Sequence, residues 1–167
     1  MVDPVVASLP ADAMVLLVGP AGSGKSTWAA AHFSQEAVLS SDAFRVQVAG
    51  DAADQSATAD AFKILHAVAR ARLRRGLLTV VDATNLTEGA RRSLLRLAGK
   101  AGRPVIAVAF DVPLERCLAQ NATRPERRVP DDVVRRHHRQ LERALDQWPG
   151  EGYRAIHVIS DGQMRGG

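Results

Sequence analysis

The feature that most limits what this chain can fold into is Gly19-Pro-Ala-Gly-Ser-Gly-Lys-Ser26, which occurs once and directly follows a short apolar run. GxxxxGK[ST] between a strand and a helix is a phosphate-binding loop. Its glycines let the backbone wrap an anion, and amide N–H groups at the start of the following helix point at that anion. Gly22, Ser23, Gly24, Lys25, Ser26 and Thr27 are therefore expected to cradle the phosphates of ATP or another nucleoside triphosphate. Lys25 neutralises the β- and γ-phosphates, and the Ser26 hydroxyl is a ligand for Mg²⁺ or a similar divalent metal. A glycine-rich turn that binds nothing is the alternative, and the flanking strand and helix count against it. The loop selects the phosphate donor and leaves the acceptor open.

The remaining chain supplies the sheet such a loop requires. Short apolar runs at 14–19, 37–40, 77–82, 104–110 and 153–159 read as buried strands. Helical spacing covers 26–33, 58–75, 87–101, 114–123 and 131–147, and the small polar residues 49–57 read as a loop. Strands alternating with helices give an α/β fold, with a parallel sheet of about five strands and helices on both faces. At 167 residues this is one domain with no internal repeat.

Composition excludes several classes. No apolar run approaches the roughly 20 residues that span a bilayer. The start of the chain lacks the basic-then-apolar pattern of a signal peptide. A lone cysteine, Cys117, rules out an internal disulfide and a Cys-rich zinc site. Together these point to the cytoplasm. Seven aromatic residues provide no stacking platform for single-stranded nucleic acid, so any such contact falls mainly on phosphates. Charge is uneven: 63–143 hold eighteen basic residues against eight acids, while 1–62 hold two against seven. A basic middle suits an anionic partner; solvated helix faces in an arginine-rich chain account for it equally well. His137 and His138 are adjacent on a helix and cannot face one metal, while His66 and His157 read as core or surface residues.

Two carboxylates follow strand runs, where open parallel sheets collect their ligands. Asp42 comes after Ser40-Ser41 and Asp82 ends the third run. A phosphotransferase acting on a hydroxyl needs a carboxylate to take its proton, and Asp42 suits that role. Arg45, one helical turn on, faces the same way, so the pair can grip a hydroxyl and a nearby phosphate. The alternative for Asp42 is a helix N-cap. Asp82 suits a metal held through its water shell, as Asp42 also does, although Asp-Ala-Thr-Asn85 reads equally as a turn. Arg124, Arg127 and Arg128, between two helices and flanked by Pro125 and Pro130, suit a basic lid over the donor, with Arg135, Arg136 and Arg139 extending the basic face; an exposed helical hairpin is the alternative.

Taken in order, these motifs resemble the kinase module of bacterial polynucleotide kinase-phosphatase, the end-healing enzyme of an RNA repair system. The resemblance runs nearly end to end. It includes the phosphate loop, Ser40-Ser41-Asp42-x-x-Arg45, Asp54-Gln55 leading to Thr58 and Phe62, Leu65-His66, Thr79-Val-Val-Asp-Ala-Thr-Asn85 and Arg91. It continues through Asn121-x-x-Arg124-x-x-Arg127, residues 133–137 with Gln140, and Glu151-Gly-Tyr-Arg154. It implies a P-loop kinase fold over 1–167, with a helical arginine-rich lid at about 121–136. The implied activity is transfer of the NTP γ-phosphate to 5′-OH ends of RNA or DNA with a divalent metal. Asp42 then matches the general base, Arg45 the acceptor-holding arginine, Lys25 and Ser26 the phosphate and metal contacts, and Arg124 and Arg127 the donor-contacting lid arginines. In that family, phosphatase and ligase-like domains follow in a longer parent chain. Gln120 departs from the pattern, standing where another donor-contacting arginine is expected. Two rival readings are a small-molecule kinase of gluconate-kinase or antibiotic-phosphotransferase type and a non-catalytic ATP-binding RNA module.

Overall fold

The computed structural model describes residues 1–161. Among these residues five strands form one parallel sheet: β1 (Met14–Val18), β2 (Val38–Ser40), β3 (Thr79–Asp82), β4 (Val105–Asp111) and β5 (Ala155–Ser160), in the order β2-β3-β1-β4-β5. Every residue of β1 is fully buried, which is why it reads as a continuous apolar run instead of an alternating one. β1 pairs with β3 and β4, so the chain switches direction across the sheet at β1, and the crevice at its carboxyl end is the place for a ligand.

Among the described residues seven α-helices cover the sheet: α1 (Pro4–Ala7), α2 (Lys25–His32), α3 (Ser41–Ala49), α4 (Thr58–Arg74), α5 (Glu88–Lys100), α6 (Leu114–Ala122) and α7 (Asp131–Gln147). One face packs Leu65, Ala69 and Leu73 of α4 and Leu94 and Leu97 of α5 against Leu16, Val81 and Ala107. The other packs Trp28 of α2 and Cys117 of α6 against Leu17, Val108 and Phe110. α7 crosses between the faces, burying Val134 with the second and Leu141 and Ala144 with the first. That crossing carries its middle over the carboxyl end of the sheet.

The expected α/β architecture stands, and local boundaries differ: β3 starts at Thr79, two residues after the expected 77, and three further differences have a visible cause. Ala49 ends α3, and Asp54 turns Gln55–Ala57 into a 3-10 helix by accepting from Ser56 N–H at 2.9 Å, so 49–57 is only partly irregular. The last strand starts at Ala155, because Gly152 turns the chain with φ 102°. α1 is too short for helical periodicity to show in sequence; the Asp3 side chain caps it at Val5 N–H, 2.8 Å.

Candidate functional site

The phosphate loop links buried β1 to α2, and its tightest point is Gly22. There φ is 79°, and a Cβ would lie 2.3 Å from the Cys117 carbonyl oxygen of α6. A side chain fails on both counts, so the backbone itself lies on α6 and keeps its amides for a ligand.

Lys25 is buried. Its Nζ donates to the carbonyls of Gly19 at 2.9 Å and Pro20 at 2.7 Å. Burial brings its pKa down to about 8, against the attraction of Asp82. The Ser26 hydroxyl donates to Asp82 Oδ2 at 2.7 Å. Pairing of β1 with β3 sets Asp82 beside Leu17, which brings this carboxylate to the loop. Asp82 is buried and ends its strand, so the turn reading describes only the residues after it. Asn85, at φ 49°, holds that turn against β1 by donating to the Leu17 carbonyl at 2.8 Å.

Asp42 lies in the first turn of α3, one strand farther out. The N-cap is Ser40, whose hydroxyl accepts from Ala43 N–H at 3.2 Å, so capping does not explain Asp42. Arg45 Nη1 donates to Asp42 Oδ1 at 2.6 Å, and its Nε to Thr58 Oγ1 at 3.2 Å. Across the cleft, Arg127 Nη1 lies 3.4 Å and Arg124 Nη2 3.7 Å from Asp42 Oδ2. Burial and neighbouring Arg127 lower the pKa of Arg124, while Asp42 and Asp82 work the other way. The segment between α6 and α7 thus turns Arg124 and Arg127 toward Asp42, while Pro125, Glu126 and Arg128 stay exposed. Asn121 fastens its base, donating to Val129 O at 2.7 Å and accepting from Val129 N–H at 3.1 Å.

Lys25, Ser26, Asp42, Arg45, Asp82, Arg124 and Arg127 all line one cleft of about 530 Å³. Ser23 and Gly24 complete the loop; Thr27 continues into α2. A hydroxyl beside a carboxylate, next to a phosphate cradle, is an oxygen donor set suited to Mg²⁺. Among the described residues no cluster of three His, Cys, Asp or Glu could hold a metal, so an ion held at Ser26 and Asp82 would need water and phosphate oxygens for its other ligands. Burial pushes the Cys117 thiol up to about 11, which leaves it inert.

The structure gives a contact to His137, which the sequence reading included only within the motif 133–137 and set aside as a metal ligand: its Nδ1 accepts from Ala21 N–H at 3.4 Å. The signal lay in the spacing of Val133, Arg136, His137 and Gln140, one helical face that all borders the cleft. Gln120, the departure from the expected pattern, packs onto the loop: with both amide ends satisfied, it donates to the Gly22 carbonyl and accepts from Arg116 Nε at 3.1 Å. No helix among the described residues is long and apolar enough to cross a membrane.

An AAA domain family, AAA_33, matches residues 14–147. No curated protein sequence matches the chain. Among solved structures, a chain of the Pnkp1/Rnl/Hen1 RNA repair complex aligns with TM-score 0.69 at 22% identity, over 81% of this chain and 45% of that one. A chain of AvrRxo1-ORF1:-ORF2 with ATP aligns with TM-score 0.70 at 21%, over 89% and 54%. The APS kinase CysC of Mycobacterium tuberculosis, in complex with AMPPNP and APS, aligns with TM-score 0.53 at 23%, over 69% and 71%. The chain spans about half the length of the first two. At these identities the likeness is one of fold, the parallel P-loop kinase fold that includes the kinase module anticipated from the motifs.

Proposed function

The chain belongs to the AAA_33 family of P-loop domains, and on that premise we propose that it is a 5′-OH polynucleotide kinase, moving the γ-phosphate of ATP or another NTP to the 5′-hydroxyl of RNA or DNA ends. One observation carries the reading. Asp42, a carboxylate on the wall opposite the phosphate loop, is held by Arg45 from its own helix and by Arg124 and Arg127 from the lid. A carboxylate so placed can take a proton from an acceptor hydroxyl, and the guanidiniums beside it can bind the phosphates on either side of the transferred group. Support also comes from the basic stretch 63–143 and from likeness in fold to the RNA repair chain.

In the proposed reaction the amides of Gly22 to Thr27 cradle the donor, and Lys25 turns from the Gly19 and Pro20 carbonyls to the β- and γ-phosphates. The acceptor oxygen gives its proton to Asp42 and bonds to the γ-phosphorus. The bond from that phosphorus to its bridging oxygen breaks, and the nucleoside diphosphate leaves. Arg45 holds the acceptor, while Arg124 and Arg127 pass from Asp42 to the phosphates and exclude water. Ser26, with Asp82 behind it, would hold Mg²⁺, which when bound offsets phosphate charge. Transfer is direct, with no covalent enzyme intermediate.

The test is transfer of labelled phosphate from ATP to a 5′-OH oligoribonucleotide or oligodeoxynucleotide. Asp42→Asn should lower turnover by about 10²-fold or more and leave ATP affinity near that of the native protein. Equal loss of both would remove Asp42 from the role of base. A second reading, a kinase for a small hydroxyl compound, draws on the fold shared with APS kinase. Salt separates the two: oligonucleotide KM should climb steeply between about 50 and 200 mM salt as phosphate contacts are screened. Labelling of small compounds alone would favour the second reading.

A further inference from the structure

Two side chains outside the nucleotide-binding motif hold the Ala21–Gly22 stretch of the loop, and they come from different helices. His137 on α7 accepts the Ala21 N–H at Nδ1, while Gln120 on α6 donates to the Gly22 carbonyl. These are the two helices between which the lid is strung, with its base fastened by Asn121 and Val129. The approach is close, because Gly22 lies directly on the Cys117 carbonyl.

We propose that His137 and Gln120 form a clamp that makes lid position and donor-loop shape a single equilibrium, with His137 a donor-positioning residue working through Nδ1 as a pure acceptor. The chemistry of the site favours this choice of side chain. Ala21 presents a donor, so its partner must offer a lone pair, which Lys and Arg lack. Lys25 from the loop and Arg136 from α7 face the same ring, and a cation there would repel both. Burial, helped by those two charges, lowers the pKa of His137 to about 4, so the ring is neutral at ordinary pH. The clamp also gives Gln120 a role, in which it shapes the loop instead of touching the donor as an arginine would. This inference concerns the donor alone and goes beyond the acceptor reading above.

The decisive experiment compares ATP binding, by calorimetry without any acceptor, in His137→Asn, His137→Gln and His137→Ala. Asparagine can offer its Oδ1 near the position of Nδ1, whereas glutamine presents its oxygen near that of Nε2. His137→Asn should bind ATP within about threefold of the native protein, and the other two about tenfold more weakly, the worth of one hydrogen bond. In the native protein ATP should slow tryptic cleavage after Arg127 and Arg128; in His137→Ala, saturating ATP should protect them less. The native protein provides a check that needs no variant: nitrogen-15 NMR should show His137 as the Nε2–H tautomer, with Nδ1 unprotonated at pH 7. A proton on Nδ1, equal loss in the Asn and Gln variants, or unchanged ATP binding and lid protection in all three overturns the clamp. Because no acceptor is present, failure here leaves the polynucleotide reading intact, and failure to label oligonucleotides leaves the clamp intact.

Discussion

Lys25 shows how burial tunes one charge for the work it does. In the phosphate loop its ammonium is bound to backbone carbonyls, and burial has brought its pKa from 10.5 to about 8. Lys25 therefore gives up its proton near pH 8 far more readily than an exposed lysine does. A bound triphosphate surrounds it with negative charge and restores the proton. ATP binding should accordingly take up part of a proton at pH 8, and less at pH 7, where the site is more fully charged. Calorimetry in two buffers of different ionisation heat measures the uptake directly. Its absence at pH 8 would contradict the depressed value.

Elements matter here through where they end and how closely they approach. α6 lies against the phosphate loop at Gly22, whereas Gly50, which ends α3 at φ 76°, has nothing within 4 Å of the place a Cβ would take. The two positions share a left-handed backbone and differ in space. Gly50→Ala should cost about 1 kcal/mol of stability and leave ATP binding unchanged. Gly22→Ala must also push the loop off the Cys117 carbonyl, and should weaken ATP binding by about tenfold or more, with about 1–3 kcal/mol of stability lost. Thermal melts and ATP titrations on both variants check the contrast. A Gly22→Ala protein with native affinity would mean that the loop has room to shift.

Across the whole molecule, one buried ion pair ties the turn after β3 to the segment before β5. Arg91 is fully buried. Its Nε and Nη2 donate to Glu151 at 2.9 and 2.7 Å, and its Nη1 donates to the Leu86 carbonyl at 2.8 Å. Burial alone pushes the Glu151 carboxyl up, but hydrogen bonds from Arg91 and Tyr153 outweigh it and hold the group below its ordinary 4.5. A carboxylate with a depressed folded pKa contributes its stability in full above the unfolded value, and loses it as pH falls through the folded one. Glu151→Gln should therefore cost about 3 kcal/mol at pH 7, because it leaves the Arg91 charge uncompensated. The gap between native and variant should narrow below about pH 4.5. Denaturation series at pH 7 and pH 4 test this; an equal gap at both would show that the pair carries no charge-dependent stability.

What was legible in the sequence alone follows from what is local. The loop Gly19 to Ser26 is legible because its amide cradle is built from consecutive residues, and the strands are legible because both faces of the sheet are buried. The helix from Asp42 to Arg45 is one turn, so that pairing also appears as spacing. Only the tertiary structure decided the rest. It brings Asp82 to Ser26 across 56 positions, Arg127 to Asp42 across 85, and His137 to Ala21 across 116. Those contacts depend on strand order and on α7 crossing from one face of the sheet to the other. Sequence spacing encodes neither, because both emerge from how separately formed elements bury their apolar faces together.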